Sequence, residues 1–117
     1  EFIKIAGAAA DGVIVGTPWF PNKEDQKVKD FRKAYKDKYG KEPDQFAAQA
    51  YDAVYLYEAA LKKAGSTTDR EKFRDALKNI ADFVGVTGQF KFNEKRDPSM
   101  EVQVLQIKNG QFDALKK

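Results

Sequence analysis

Apolar positions along this chain change period several times, and each change marks an element. Gly12-Val13-Ile14-Val15-Gly16 is a short β-branched run between glycines, which predicts a buried strand at 12–16. Before it, Ile5 to Ala10 is small and apolar, a helical turn feeding that strand. Thr17-Pro18-Trp19-Phe20-Pro21-Asn22 follows, and two prolines around two aromatics force a stiff, extended connector. Over 24–39, Val28, Phe31, Tyr35 and Tyr39 recur at spacings of three, four and four, the stripe of an amphipathic helix. Gly40 is placed to end it and Pro43 prevents its resumption.

A second helix is predicted from Asp44, a capping residue, to about Lys63, closed by Gly65. It is apolar on nearly every side, so it must be buried on more than one. A third helix is expected at 69–80, with Thr68-Asp69-Arg70-Glu71 as a capping box and Phe73, Ala76, Leu77 and Ile80 as its stripe. Phe83 to Gly88 then leads into the period-two alternation of Gln89 to Asn93, a strand preceded by a turn or bulge. Asn93 to Ser99 reads as a polar turn. Val102 to Ile107 reads as a final strand, with Asn109-Gly110 turning out of it. Helices interposed between strands give an α/β layered fold. Three strands cannot cover three helices, the second above all, so the chain is short of its own core.

Composition narrows the chemistry. Cys and His are both absent from the 117 residues, which removes disulfides, Cys/His zinc sites, thiol nucleophiles and imidazole bases. No cofactor is called for, and the reading is of a protein that is not an enzyme. Lys plus Arg number 21 against 18 Asp plus Glu, and the signs alternate along the chain. That is an ordinary solvated surface rather than a nucleic-acid footprint. No apolar run approaches the ~20 residues that span a bilayer. The chain opens Glu1-Phe2-Ile3-Lys4, which reads as a mature product or a piece of something longer.

Candidate sites are few. Gly85-Val86-Thr87-Gly88 lacks the Lys-Ser/Thr of a phosphate loop and opens no helix, so it reads as a strand-entry turn. Asp52 and Glu58, six apart on a helix, do not face each other as an acid pair. Asn93 to Asp97 does not match a calcium loop. Tyr51, Tyr55 and Tyr57 read as partly buried packing with hydroxyls at the rim. Gln45 and Phe46 stand at the entrance of the second helix, where side chains often border a cleft. An aromatic wall beside an amide suits a small ligand, and plain packing suits Phe46 equally.

Taken together, Ala6-Gly7, Ala10-Asp11-Gly12-Val13, Thr17-Pro18, Phe31, Tyr35, Tyr39-Gly40 and Pro43 form a recurrent order. It continues with Ala50-Tyr51-Asp52-Ala53-Val54, Leu61, Ala64-Gly65, Phe83, Gly85, Gly88, Phe90 and Phe92. This order resembles the C-terminal portion of type I periplasmic substrate-binding proteins, the branched-chain amino-acid (Leu/Ile/Val) binding group of ABC transporters. Arg96 departs from the family, which usually has Gly in that turn.

The resemblance implies a two-lobed fold of three-layer α/β/α lobes, of which this chain is an incomplete part. Residues 1–16 would belong to the second lobe, 17–21 to a hinge crossing, 22–97 to the first lobe, and 98–117 to a return to the second. Thr17, Pro18 and Trp19 would form the hinge. Phe46 matches an aromatic that borders the ligand, with Gln45 carried as its neighbour. The ligand's carboxylate and ammonium sites would lie upstream. Implied partners are an amino acid or related carboxylate, a membrane permease, and either the upstream segment or a second copy of the chain. The implied location is periplasmic or extracellular, the full-length precursor free or lipid-anchored. Alternatives are a receptor or regulator using the same fold, a basic α/β nucleic-acid binder and a carboxylate-based enzyme.

Overall fold

A computed structural model describes residues 1–115; Lys116 and Lys117, the end of the expected return segment, lie outside the described residues. The chain runs α1 (Phe2–Ala6), a 3-10 turn (Gly7–Ala10), β1 (Ile14–Thr17), α2 (Gln26–Tyr39), α3 (Gln45–Ala64) and α4 (Arg70–Lys78). Then come β2 (Phe83–Gly85), β3 (Gly88–Phe92), β4 (Pro98–Met100), β5 (Gln103–Lys108) and β6 (Gln111–Ala114). The strands form two separate antiparallel sheets, ordered β1-β5-β6 and β2-β3-β4.

Helix ends follow local chemistry. Asp25, Asp44 and Asp69 each accept hydrogen bonds from backbone N–H groups of the first turn of α2, α3 and α4. At α4 the cap is Asp69, one residue later than the capping box anticipates, because Ser66 Oγ accepts from the N–H groups of Thr68 and Asp69. That helix also ends at Lys78, two residues early: the Asn79 side chain donates back to the Asp75 carbonyl.

Three expectations are corrected. The chain start is helical from Phe2, not merely a turn from Ile5. Phe83–Gly85 is itself a strand, and of the expected turn or bulge the structure has the turn, with Val86-Thr87 as a two-residue hairpin loop. Gln111–Ala114 forms a further strand against β5, registered by the Asn109-Gly110 turn. Pro98–Met100, at the start of the expected return segment, pairs with β3 in the β2-β3-β4 sheet. Between β3 and β4 the polar turn carries Arg96 at φ 69°, left-handed backbone that favours glycine.

The core is small. Trp19, Val28, Phe31, Ala48 and Val86 form its buried cluster, with Tyr35 and Ala47 packed against it. In the other sheet, Leu105 and Ile107 are buried on one face of β5 while Val104 is exposed on the other. The radius of gyration is 16.8 Å, against about 13 Å for a compact domain of this length. The accessible surface is 8608 Å², whereas a folded monomer of this mass exposes about 6,400 Å². Geometry thus gives the shortage of core as surface area.

Candidate ligand cleft and hinge

The expected hinge and the expected cleft residues meet. β1 ends at Thr17, whose hydroxyl donates to Gln45 Oε1 at 2.8 Å and accepts from the Trp19 N–H at 3.1 Å. Gln45 is the first residue of α3, fixed there by the Asp44 cap on the Ala47 N–H at 2.8 Å. One hydroxyl therefore ties the end of β1 to the start of the helix that carries Phe46. Phe46 is 76% exposed, a bare aromatic ring beside that tie.

Trp19 is anchored differently. Its indole is buried at 5% exposure and meets Phe31 edge to face, ring centroids 5.7 Å apart. Its Nε1 is buried without a hydrogen-bond partner. Pro18 is half-buried. Residues 17–19 are thus held at Thr17 by a polar bond and at Trp19 by packing.

The feature that sequence reading misses is Asp52. It lies on the buried face of α3 with Ala48, Leu56 and Ala60. Its carboxylate accepts from the backbone N–H groups of Val86 and Thr87, each at 2.8 Å, and from the Thr87 hydroxyl at 2.6 Å. A buried carboxylate must be satisfied, and this one is satisfied by the hairpin loop. The loop in turn presses Val86 into the cluster around Trp19. Gly85 completes the fit, since a Cβ there would lie 2.3 Å from the carboxylate. An Asp inside an apolar helix was the available signal, because such a residue needs donors and a tight Gly-x-Thr-Gly turn supplies them. As expected, Glu58 does not face Asp52; it pairs with Lys62 at 2.7 Å.

The tyrosines sit at the rim. Tyr51 stacks on Phe31 at 4.6 Å and its hydroxyl lies 3.4 Å from that of Tyr55; Tyr57 meets Phe73. The hydrogen bond to Tyr55, then burial, then the charges of Tyr55, Asp52 and Asp30 push the Tyr51 phenol up to about 12. A raised phenol contributes stability below the ordinary tyrosine range that is lost as pH climbs from about 10 toward 12. Ultraviolet titration is expected to show one of the five tyrosines ionising late, and Tyr55→Phe to remove that late step. Five coincident transitions in the parent chain would contradict it.

Two hollows border this region without containing Phe46, Gln45 or Thr17. One of about 500 Å³ lies between α2, α3 and β2, lined by Phe31, Tyr51, Asp52 and Phe83; an apolar one of about 300 Å³ lies between α3 and the β2-β3-β4 sheet. The α2 cations are largely paired, Lys33 with Asp37 and both Arg32 and Lys36 with Glu42, so no basic stripe is presented. Among the described residues no group of three or more acidic, His or Cys side chains could hold a metal.

Two small sheets joined through a tied crossing are part of a two-lobed type I α/β binding fold, the class to which the matching solved structures belong. The chain belongs to the periplasmic binding protein family, whose model matches residues 1–111. It is 34% identical over 106 residues to a Leu/Ile/Val-binding protein homolog 1 of Brucella abortus, covering 90% of this chain and 28% of that protein. It is 35% identical to a leucine-binding protein of Thermotoga maritima, with a TM-score of 0.83, covering 97% of this chain and 33% of that one. It is 33% identical to a branched-chain amino-acid transporter substrate-binding protein of Streptococcus pneumoniae in complex with isoleucine, with a TM-score of 0.82, covering 97% and 32%. The chain therefore spans about a third of the length of these relatives, each of them described as a binding protein.

Proposed function

We propose that this chain is the C-terminal portion of the solute-binding component of an ABC-type uptake system for branched-chain amino acids or similar small carboxylates. The observation that carries the reading is the exposed Phe46 ring at the entrance of α3, beside a crossing tied to the same helix turn by Thr17 and Gln45. An apolar wall suits an aliphatic side chain, and the charged ends of the ligand are met by groups upstream of Glu1. Residues 1–16 and the strands from Gln103 onward make up one lobe's share. Residues 22–100 make up the other's, with 17–21 between them. Support for this division is the separation of the two sheets.

The mechanism is binding without chemistry. Ligand bridges both lobes and favours the closed form only through contacts that the open form lacks. Thr17 and Trp19 fix the crossing, so that the lobes rotate about it as rigid bodies. A membrane permease then recognises the closed shape. The family places such a protein in the periplasm or outside the cell.

The isolated chain holds one wall of the site and none of the upstream ligand groups. Calorimetric titration with leucine is expected to give no binding in the micromolar range. Micromolar binding by this chain alone would overturn the assignment of the charged-group sites to the upstream segment.

A further inference from the structure

We propose that Asn109 is a modification site, where the chain loses a side-chain amide by deamidation at a rate that Asp11 holds down. Asn109 and Gly110 are the two exposed residues of the loop between β5 and β6, with Lys108 paired to Gln111 on either side. Their φ angles are 51° and 73°, both left-handed, the signature of a type I′ turn. In the reaction the Gly110 backbone nitrogen attacks Asn109 Cγ. An N–C bond forms, the Cγ–Nδ2 bond breaks, and ammonia leaves with the proton from the Gly110 nitrogen. Water then opens the five-membered imide at either carbonyl, giving aspartate or an isoaspartate that carries the backbone through Cβ.

Three observations set this residue apart. The first is its neighbour: Asn22, Asn79 and Asn93 precede Lys, Ile and Glu, whose side chains crowd the attacking nitrogen, whereas Gly110 has none. The second is the amide itself. The side chains of Asn22, Asn79 and Asn93 are hydrogen-bonded to Arg32, the Asp75 carbonyl and Asp97, while among the described residues that of Asn109 has no such bond. The third is a lock on the turn. As the mirror image of type I, this turn has ψ of about +30° at its first central residue, which swings the Gly110 nitrogen away from the Asn109 side chain. The ring can close only when the turn opens. Gly110 N–H, the group that must rotate and give up its proton, donates to Asp11 Oδ1 at 3.3 Å. That carboxylate opposes the reaction twice, by holding the turn and by keeping the proton on the nitrogen. Asp11 is itself fixed, because its N–H donates to the Ala8 carbonyl and that of Gly12 to the Ile107 carbonyl at 2.8 Å. An isoaspartate here adds a backbone atom to a two-residue turn and sets a second carboxylate against Asp11, so β6 loses its register on β5. This site does not depend on the ligand reading.

The folded chain, kept in mildly alkaline buffer and followed by peptide mass spectrometry, is expected to turn acidic at Asn109 before any other asparagine. Asp11→Ala, with the circular dichroism of the parent, is expected to speed that conversion about fivefold, the opening that one lost hydrogen bond of ordinary strength allows. In urea the parent and Asp11→Ala are expected to react at one common, faster rate. Asn109→Gly, which suits the same turn, is expected to lack the conversion and to keep its urea midpoint on ageing, while the parent's falls. Another asparagine reacting first overturns the proposal. So does a parent that reacts as fast folded as in urea, or a folded Asp11→Ala chain that reacts no faster than the parent.

Discussion

Replacing Asp52 with alanine is expected to cost about 4 kcal/mol of stability. Three donors lose their acceptor at once: the Val86 and Thr87 N–H groups and the Thr87 hydroxyl. Each buried unsatisfied donor costs about 1–3 kcal/mol, and water entering the vacated space offsets part of the sum. Asp52→Asn keeps one acceptor oxygen but turns an NH2 group toward a loop N–H, for a loss of about 2 kcal/mol. Gly85→Ala acts on the same contact from the other side, driving a methyl to 2.3 Å from a carboxylate that three hydrogen bonds prevent from yielding. Because Asp52→Ala empties that space, the two changes are coupled, and their joint cost falls short of the sum by about 1 kcal/mol or more. Trp19, the one tryptophan, packs in the cluster with Val86 and reports the transition in urea. A loss below about 1 kcal/mol for Asp52→Ala would show that the loop is held by something else.

How much of this was legible follows from where the signals lie. Helix ends were readable because Asp44 and Gly40 act on their own backbone, within a turn of where they stand in sequence. Strand pairing was not, since β4 and β6 are only three and four residues long, and β1 finds β5 across some ninety residues. The Thr17–Gln45 bond and the Asp52 clip each join residues 28 to 35 apart, and no local period announces such a pair. In the sequence Asp52 stands out only as half of a weak acid pair and Gly85 to Gly88 only as a strand-entry turn; the fold shows that one answers the other. The shortage of core was legible in advance, in a helix with more apolar faces than three strands could cover.

The second large effect concerns binding. Joined to the part of the Thermotoga maritima leucine-binding protein that it does not match, this chain would restore the second wall and the charged-group sites to one molecule. In that chimera Phe46→Ala is expected to weaken leucine binding about tenfold or more, by removing apolar contact with the ligand side chain. The same substitution leaves stability nearly unchanged, because a ring 76% exposed contributes little to the core. Thr17→Val, which removes the hydroxyl donor to Gln45, is expected to weaken binding less, since it loosens the crossing without touching ligand.

Calorimetric titration of the folded chimera with leucine tests the central claim most directly. The account predicts saturable one-to-one binding, absent from the isolated chain and weakened by Phe46→Ala. A chimera that folds cooperatively, buries Trp19 and still binds no leucine, isoleucine or valine would contradict it.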